Sequence, residues 1–362
     1  MTPGRNHIIV LFTALSAGIG LLFLSFWPTG LDHYYVPLFF EPFTDVLRLI
    51  FGRLPVSVGD VLIYLLVALL LYRFGRWVFS FFNKHQTKAQ SKSGLYRFIV
   101  TINWLLIIAV VFYLSWGLNY FRSDVKQELL LNQVRPSNER LIALNIRLRD
   151  SVNSLIHETQ SSRTAPFEQD SLFALVTSCF DTEVTRFERW TLANKSLKYS
   201  MWSWLGDLTG VAGYYNPFTG EAQLNRNLPV FLKPFVACHE LAHQLGYANE
   251  SEANFVGYLT CRQSPHPLFR YAAHLEMLML ANRQLRLTDT AAAASILRQC
   301  HAGVQKDLQI WRAYQDKQSR IMGTVFAHVF DLFLKSNRQQ AGIRSYDAAV
   351  MLLLAYEDQY GL

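Results

Sequence analysis

The sequence predicts a mainly α-helical membrane protein. Three N-terminal transmembrane helices precede a mostly helical α+β domain with one small sheet or hairpin. Three observations carry this. Apolar residues make up 51% of the 362-residue chain against 17% charged, and the excess gathers before residue 121. Three runs there are long and apolar enough to cross a bilayer core. From residue 122 onward, apolar residues recur at helical spacing, interrupted by one stretch rich in Gly, Pro and aromatics. The chain thus divides into a membrane anchor, residues 1–121, and a domain, residues 122–362, of a length suited to one core.

The first run, about residues 8–27, is uncharged. A cleaved signal peptide would be shorter, with a stronger basic start than Arg5 and a small-residue cleavage site, so the run reads as a retained anchor. Pro28 to Pro55 mixes aromatics with Asp32, Glu41, Asp45, Arg48 and Arg53. It reads as an external loop lying in the interface, with an amphipathic piece near Phe43 to Phe51. The second span covers about residues 56–78, with Asp60 near its outer end at the interface. The third covers about residues 98–120, with Asn103 between packed helices and Trp104, Trp116 and Tyr120 as interface anchors.

Arg73, Arg76, Lys84, Lys88, Lys92 and Arg97 crowd between spans two and three, with no Asp or Glu among them. Such a loop belongs in the cytoplasm. The N-terminus is then cytoplasmic too, and everything after Phe121 extracytoplasmic. In a two-membrane bacterium this is a multi-pass inner-membrane protein with a periplasmic domain. The same cluster supplies much of the net charge of +7. That charge is therefore read as a lipid-bilayer signal and argues against nucleic-acid binding.

In the domain, Leu141, Leu144, Ile146, Leu148, Val152 and Leu155 predict a helix over residues 137–156 opened by Ser137. A polar linker follows at Thr159 to Thr164, then helix from Phe167 to Trp190. Residues 200–225 read as strands and turns, with a hairpin turn at Asn216 to Gly220 and an edge strand at Gly220 to Asn225. Pro234 suits the first turn of the next helix. Further helices are predicted at Glu250 to Cys261, Leu268 to Leu285, Asp289 to Lys317, Ile321 to Ser336 and Tyr346 to Tyr356. Cys179, Cys238, Cys261 and Cys300 form no C-x-x-C pair, which argues against a cysteine zinc site. One or two disulfides are compatible with an extracytoplasmic address, while Cys238 reads as a buried apolar residue.

The chemistry centres on His239-Glu240-Leu241-Ala242-His243. Residues four apart on a helix share a face, so His239 and His243 can direct two imidazoles at one metal ion. Glu240, offset from that line, stands where a general base for water belongs. Gly246 ends the helix in a left-handed cap. A catalytic zinc takes three protein ligands and leaves one position open. Glu250 and Glu252 are the candidates for the third. Asn249 with Glu252 makes a capping box, which gives Glu252 a structural task. Glu250, Asn254 and Gly257 share a face, and Gly257 lets the two helices approach closely. Glu250 is therefore the favoured ligand, Glu252 the alternative, and Asn254 a brace for a ligand. Oxyanion stabilisation needs a further donor; Tyr215, Tyr247, His274 and Tyr346 are candidates.

The pattern Glu250-x-x-Ala253-Asn254 resembles the second motif of gluzincin metallopeptidases, where a helix supplies Glu and an Asp or Asn four residues on braces a ligand His. The whole chain also resembles an uncharacterised bacterial family of membrane-anchored, zincin-like peptidases. That family has three N-terminal spans and a stretch similar to Gly213-Tyr214-Tyr215-Asn216-Pro217-Phe218-Thr219-Gly220-Glu221-Ala222 ahead of Cys238-His239-Glu240. The resemblance implies a zincin-like domain, a Zn2+ cofactor and a peptide or protein substrate. Two features depart from known layouts. The gap from His243 to Glu250 is shorter than in most gluzincins, and Asn249 occupies the third-ligand place of a metzincin.

Three other readings compete with a membrane-anchored zinc peptidase. A catalytically inactive zincin-like envelope scaffold would have no reason to keep Glu240. A structural zinc in an assembly protein would need a fourth nearby Cys or His. An intramembrane protease is opposed by Lys233, Glu250, Glu252 and Arg262, which flank the motif closely.

Overall fold

A computed structural model describes residues 5–82, 94–134, 137–163, 167–183, 193–317, 320–339 and 348–361. It is mainly α with one small sheet, as the sequence predicts. The elements in order are α1 (Arg5–Leu24), α2 (Pro28–Gly30), a π-helical stretch (Leu31–Phe40), α3 (Glu41–Phe51), α4 (Val58–Phe82) and α5 (Gly94–Ser115). A 3-10 turn (Gly117–Phe121) leads to α6 (Val125–Glu128), α7 (Asn138–Leu155) and α8 (Gln169–Glu183). Then come β1 (Leu197–Tyr199), α9 (Ser203–Thr209), β2 (Gly213–Asn216) and β3 (Glu221–Leu224). The remainder is α10 (Lys233–Gln244), α11 (Glu250–Arg262), α12 (Pro267–Arg286), α13 (Thr290–Arg298), α14 (Ala302–Asp316), α15 (Arg320–Ser336) and α16 (Ala348–Tyr360).

Three helices are long and apolar enough to cross a membrane, over Asn6–Leu24, Val58–Arg76 and Tyr96–Ser115. The amide of Asn103 donates to the His7 carbonyl at 2.9 Å and ties α5 to α1, the between-helix role expected of it. The cluster's Lys84, Lys88 and Lys92 lie outside the described residues. The third helix stops earlier than predicted, at Ser115. Asn119 ends it by donating from its backbone and its side chain to the Trp116 carbonyl. Trp116 is consequently buried in the protein rather than anchored at the bilayer surface.

The expected interface loop at residues 28–55 is instead a helical excursion. Leu31, Tyr35, Val36 and Phe40 recur at helical spacing and form a small core with Trp116, Leu118 and Ala248. Pro37 lies inside the π-helical part, whose looser winding tolerates its missing N–H.

The sheet runs β1-β3-β2, β1 parallel and β2 antiparallel to β3. The hairpin turn forms as predicted: Gly220 donates to the Asn216 carbonyl at 2.8 Å and adopts φ +68°. The predicted edge strand at Gly220 to Asn225 is corrected, since β3 is the buried central strand and β2 is an edge. The cause is β1, three residues too short to show a period. The predicted strand-and-turn stretch also contains α9. Ser200 Oγ accepts from Trp202 N, Ser203 Oγ donates to the Ser200 carbonyl, and Gly210 at φ +84° ends the turn.

One face of the sheet, with Gly213, Ala222 and Leu224, packs on α10 and the main core. The other face grips the start of α4. Glu221 is fully buried, accepts from the Val58 and Gly59 amides at 3.1 and 2.7 Å, and pairs with Lys198 at 2.6 Å. Lys198 also donates to the carbonyls of Phe51 and Val56. Asp60, at the start of α4, is buried against the sheet and accepts from Tyr214 and from the Met201 amide. Glu221→Ala would leave Lys198 buried without its partner, at a cost of about 3–5 kcal/mol, and would also release the two amides that open the second apolar helix.

All four cysteines are free thiols and buried, so the disulfides entertained from sequence are absent among the described residues. The single helix predicted from Asp289 to Lys317 is two. Asp289 caps α13, and His301 caps α14 through its ring nitrogen.

Candidate metal centre

The candidate centre is built on α10, whose residues are almost all buried. Pro234 stands in its first turn, where the lost N–H has no intrahelical role. Gly246, at φ +90°, ends it, and its amide donates to the His243 carbonyl at 2.9 Å. The chain then reverses. Asn249 caps α11 by accepting from the amide and hydroxyl of Ser251 at 2.9 and 2.7 Å. Gly257 allows the two helices to touch: a Cβ there would lie 3.0 Å from His239 N. Any larger residue would push α11, and Glu250 with it, away from α10.

This approach brings His239, His243 and Glu250 together, all buried, with one potential ligand atom from each within 4.8 Å of the others. Glu250 Oε2 is 3.4 Å from His239 Nε2 and 3.8 Å from His243 Nε2. Ligand atoms about 2.1 Å from a tetrahedral zinc stand about 3.4 Å apart, so the spacing fits such an ion with little adjustment. The donor chemistry fits too. His243 Nδ1 lies 2.7 Å from the Tyr247 carbonyl, which places the proton on Nδ1 and leaves the Nε2 lone pair facing Glu250. Burial lowers the His243 pKa to about 4, keeping the ring neutral, as a ligand must be. For His239, burial pulls the pKa down. The hydrogen bond to Glu250, the charges of Glu240 and Glu250 and a hydrogen bond donated to Asn254 outweigh it, and the net shift is upward. Asn254 thus bears on His239, one turn beyond Glu250.

Glu240 projects toward β2. Its Oε1 would lie 2.5 Å from a Cβ at Gly213, so only glycine leaves room for this carboxylate. Glu240 Oε2 is buried without a partner among the described residues, and burial raises the carboxyl pKa to about 8. The sheet register, with the Asn225 amide donating to the Ala212 carbonyl, directs the backbone groups of Gly213 and Tyr215 away from β3. Among the described residues, this strand edge beside Glu240 is left unpaired.

The other predicted residues separate. The Tyr215 ring stacks 4.6 Å from Trp116, which meets His243 edge-on at 6.1 Å. The Tyr215 hydroxyl is buried with no partner among the described residues; burial lifts its pKa to about 12, opposed by the Arg48 charge. The Tyr247 hydroxyl is committed to both oxygens of Glu128 at 3.0 Å, so this residue serves through its backbone carbonyl instead of as an oxyanion donor. His274 pairs with Tyr258 at 3.3 Å, and its charged neighbours are Arg262 and Arg270. Tyr346 lies outside the described residues. Glu252 turns from the cluster and accepts from the Val125 amide at 3.1 Å, capping α6. Its structural task is real, but α6 takes the place of the Asn249 amide expected from a capping box.

Four residues near the cluster were not singled out for it in the sequence. Glu276 on α12 is half-buried and interacts with His239; burial raises its pKa to about 7. Its signal was legible as the one acidic residue between Arg270 and Arg283. Tyr120 has a hydroxyl pKa raised by burial and by the Glu250 charge. Trp116 touches His243, and Arg48, 3% exposed, lies by Tyr215 with Nε and Nη1 unpartnered among the described residues. The last three come from the membrane-proximal segments.

The chain belongs to the family described as "Protein of unknown function (DUF3810)", which matches residues 35–354. No curated protein and no solved structure matches it.

Proposed function

We propose that this member of the DUF3810 family is a membrane-anchored, zinc-dependent peptidase with Glu240 as general base. The observation that carries this reading is the convergence of His239, His243 and Glu250 beside the buried Glu240 carboxylate, whose Oε2 has no partner among the described residues. His239, His243 and Glu250 would hold the ion, a His2Glu set of the kind catalytic zinc sites use. Zinc bound there supplies Lewis acidity, lowering the pKa of water and polarising a carbonyl.

The remaining work falls to the chain. Glu240 takes a proton from the attacking water and delivers it to the leaving amine. Burial raises its proton affinity, while a nearby dication would pull it back toward the working range. Of the predicted oxyanion donors, Tyr215 is the one whose buried hydroxyl has no partner among the described residues, and it is the candidate for binding a developing oxyanion. The free edge of β2 offers backbone groups of Gly213 and Tyr215 to an extended peptide. The E-x-x-A-N resemblance to gluzincins agrees with Glu250 as ligand and Asn254 as its neighbour's brace. The basic cluster in the sequence between the second and third apolar helices supports an extracytoplasmic metal centre.

The full-length protein, purified in detergent, tests this with a mixture of fluorogenic peptides. Stripping metal with a chelator is expected to reduce cleavage by at least ~100-fold, and zinc is expected to restore it. Cleavage indifferent to the chelator contradicts the reading. Zinc binding without cleavage of any peptide favours an inactive envelope scaffold.

A further inference from the structure

Helix α15 has three faces where a helix at the surface of a soluble domain has two. At 100° per residue, Gly323, Ala327, Phe330 and Leu334 form the inward face. Thr324, His328, Asp331 and Lys335 form a polar face, with Lys335 and Asp331 paired at 2.6 Å. The third face holds Met322, Val325, Phe326, Val329 and Leu332. It is apolar yet open: Val325 and Val329 are each 59% exposed and Leu332 54%. A helix that separates an exposed apolar face from an exposed polar face is built for a boundary between two solvents.

The helix also lies where that boundary must be. Phe333 packs 6.0 Å from Phe112, in the last turn of the third apolar helix, and 5.9 Å from Tyr120. Asn337 accepts from the Tyr113 hydroxyl at 3.1 Å. Just beyond, the Arg338 guanidinium sits 4.8 Å over Phe121 and 5.7 Å over Phe26, at the end of the first apolar helix. Toward its other end, Gly323 packs on α9, where a Cβ would lie 3.7 Å from the Leu208 carbonyl oxygen. The residues opening α9 sit against the second apolar helix: Trp202 stacks on Tyr64 at 3.9 Å, and Tyr64 donates to the Met201 carbonyl. Met201 and Trp204 are exposed beside them. Thus α15 connects the same ends of the apolar helices.

We propose that α15 is an interfacial helix whose apolar face is set into the leaflet on the domain's side of the membrane. The bilayer covers what the protein leaves open, and the polar face looks into water. Because α15 runs from Thr209, near the β2 edge, to Tyr120, beside Glu250, the lipid surface then borders the metal cluster. This inference rests on the membrane helices and not on any bound metal.

Full-length protein in phosphatidylcholine vesicles tests it. Val325→Cys and Val329→Cys are labelled in separate variants with a polarity-sensitive fluorophore, and His328→Cys serves as the water-facing control. The four native thiols are buried, so the label goes to the new one. Lipids brominated in the upper acyl chain are expected to quench both valine-site labels at least ~3-fold more than the control, given the depth such helices reach. Aqueous iodide should show the reverse order. Iodide quenching at 325 and 329 equal to that at 328, with no response to bromolipid, overturns the proposal. Shielding that persists in detergent and grows with protein concentration also overturns it, in favour of a second copy.

Discussion

Glu240→Gln is expected to keep a full equivalent of metal and to lose hydrolysis by a factor of ~10²–10⁴, the usual worth of a positioned acid–base group. The substitution keeps the shape that fills the space beside Gly213. It removes the carboxylate beside the cluster that can accept a proton from water and return it. Glu240 is not among the three residues whose ligand atoms converge, so the metal should stay. Stability should change little, because burial already raises the Glu240 pKa to about 8 and so favours the neutral acid, which the amide matches in shape and charge. Metal content, unfolding temperature and cleavage of the same preparation separate this outcome from simple misfolding. Cleavage at the wild-type rate removes Glu240 from the mechanism.

Glu250→Ala is expected to have the opposite signature: a folded protein that no longer retains zinc. Its Oε2 is the atom within reach of both histidines, so truncation removes a ligand and the group holding the two imidazoles in place. The affinity loss should exceed the ~10–100-fold typical of residues that merely support a ligand. Glu252→Ala is the matched control. Its carboxylate caps α6, and removing the cap should cost on the order of 1 kcal/mol of stability while leaving zinc in place. If Glu252→Ala loses the metal and Glu250→Ala keeps it, the ligand assignment is inverted.

Much of this site is legible because it is local. The positions of His239, His243, Gly246, Asn249, Glu250 and Gly257 follow from helical periodicity, a left-handed cap and a close helix contact, all encoded within twenty residues. The apolar helices are legible for the same reason, since length and polarity decide whether a segment suits a bilayer. What escaped is non-local. Strand β1 is too short to show a pattern and exists because β3 pairs with it. That pairing alone decides that β2, and not β3, is the edge.

The membrane-proximal residues escaped for a different reason. Aromatics at a span's end serve as interface anchors or as packing, and composition does not distinguish the two. Trp116 turns inward because Asn119 captures its carbonyl and Leu31, Tyr35, Val36 and Phe40 are there to receive it. Arg122 deepens that connection, with its guanidinium on Asp32 at 3.2 Å and near the Gly246 carbonyl at 3.4 Å. The helical excursion after α1 is thereby tied to the end of the helix carrying His239 and His243. No periodicity announces such a contact between residues 32, 122 and 246.

The most direct measurement is X-ray absorption at the zinc edge on the full-length protein after zinc loading. The account predicts one equivalent of zinc with two imidazole nitrogens and carboxylate oxygen at about 2.0–2.1 Å, and no sulfur neighbour. A sulfur shell at about 2.3 Å, or a protein that takes up no zinc, would contradict it.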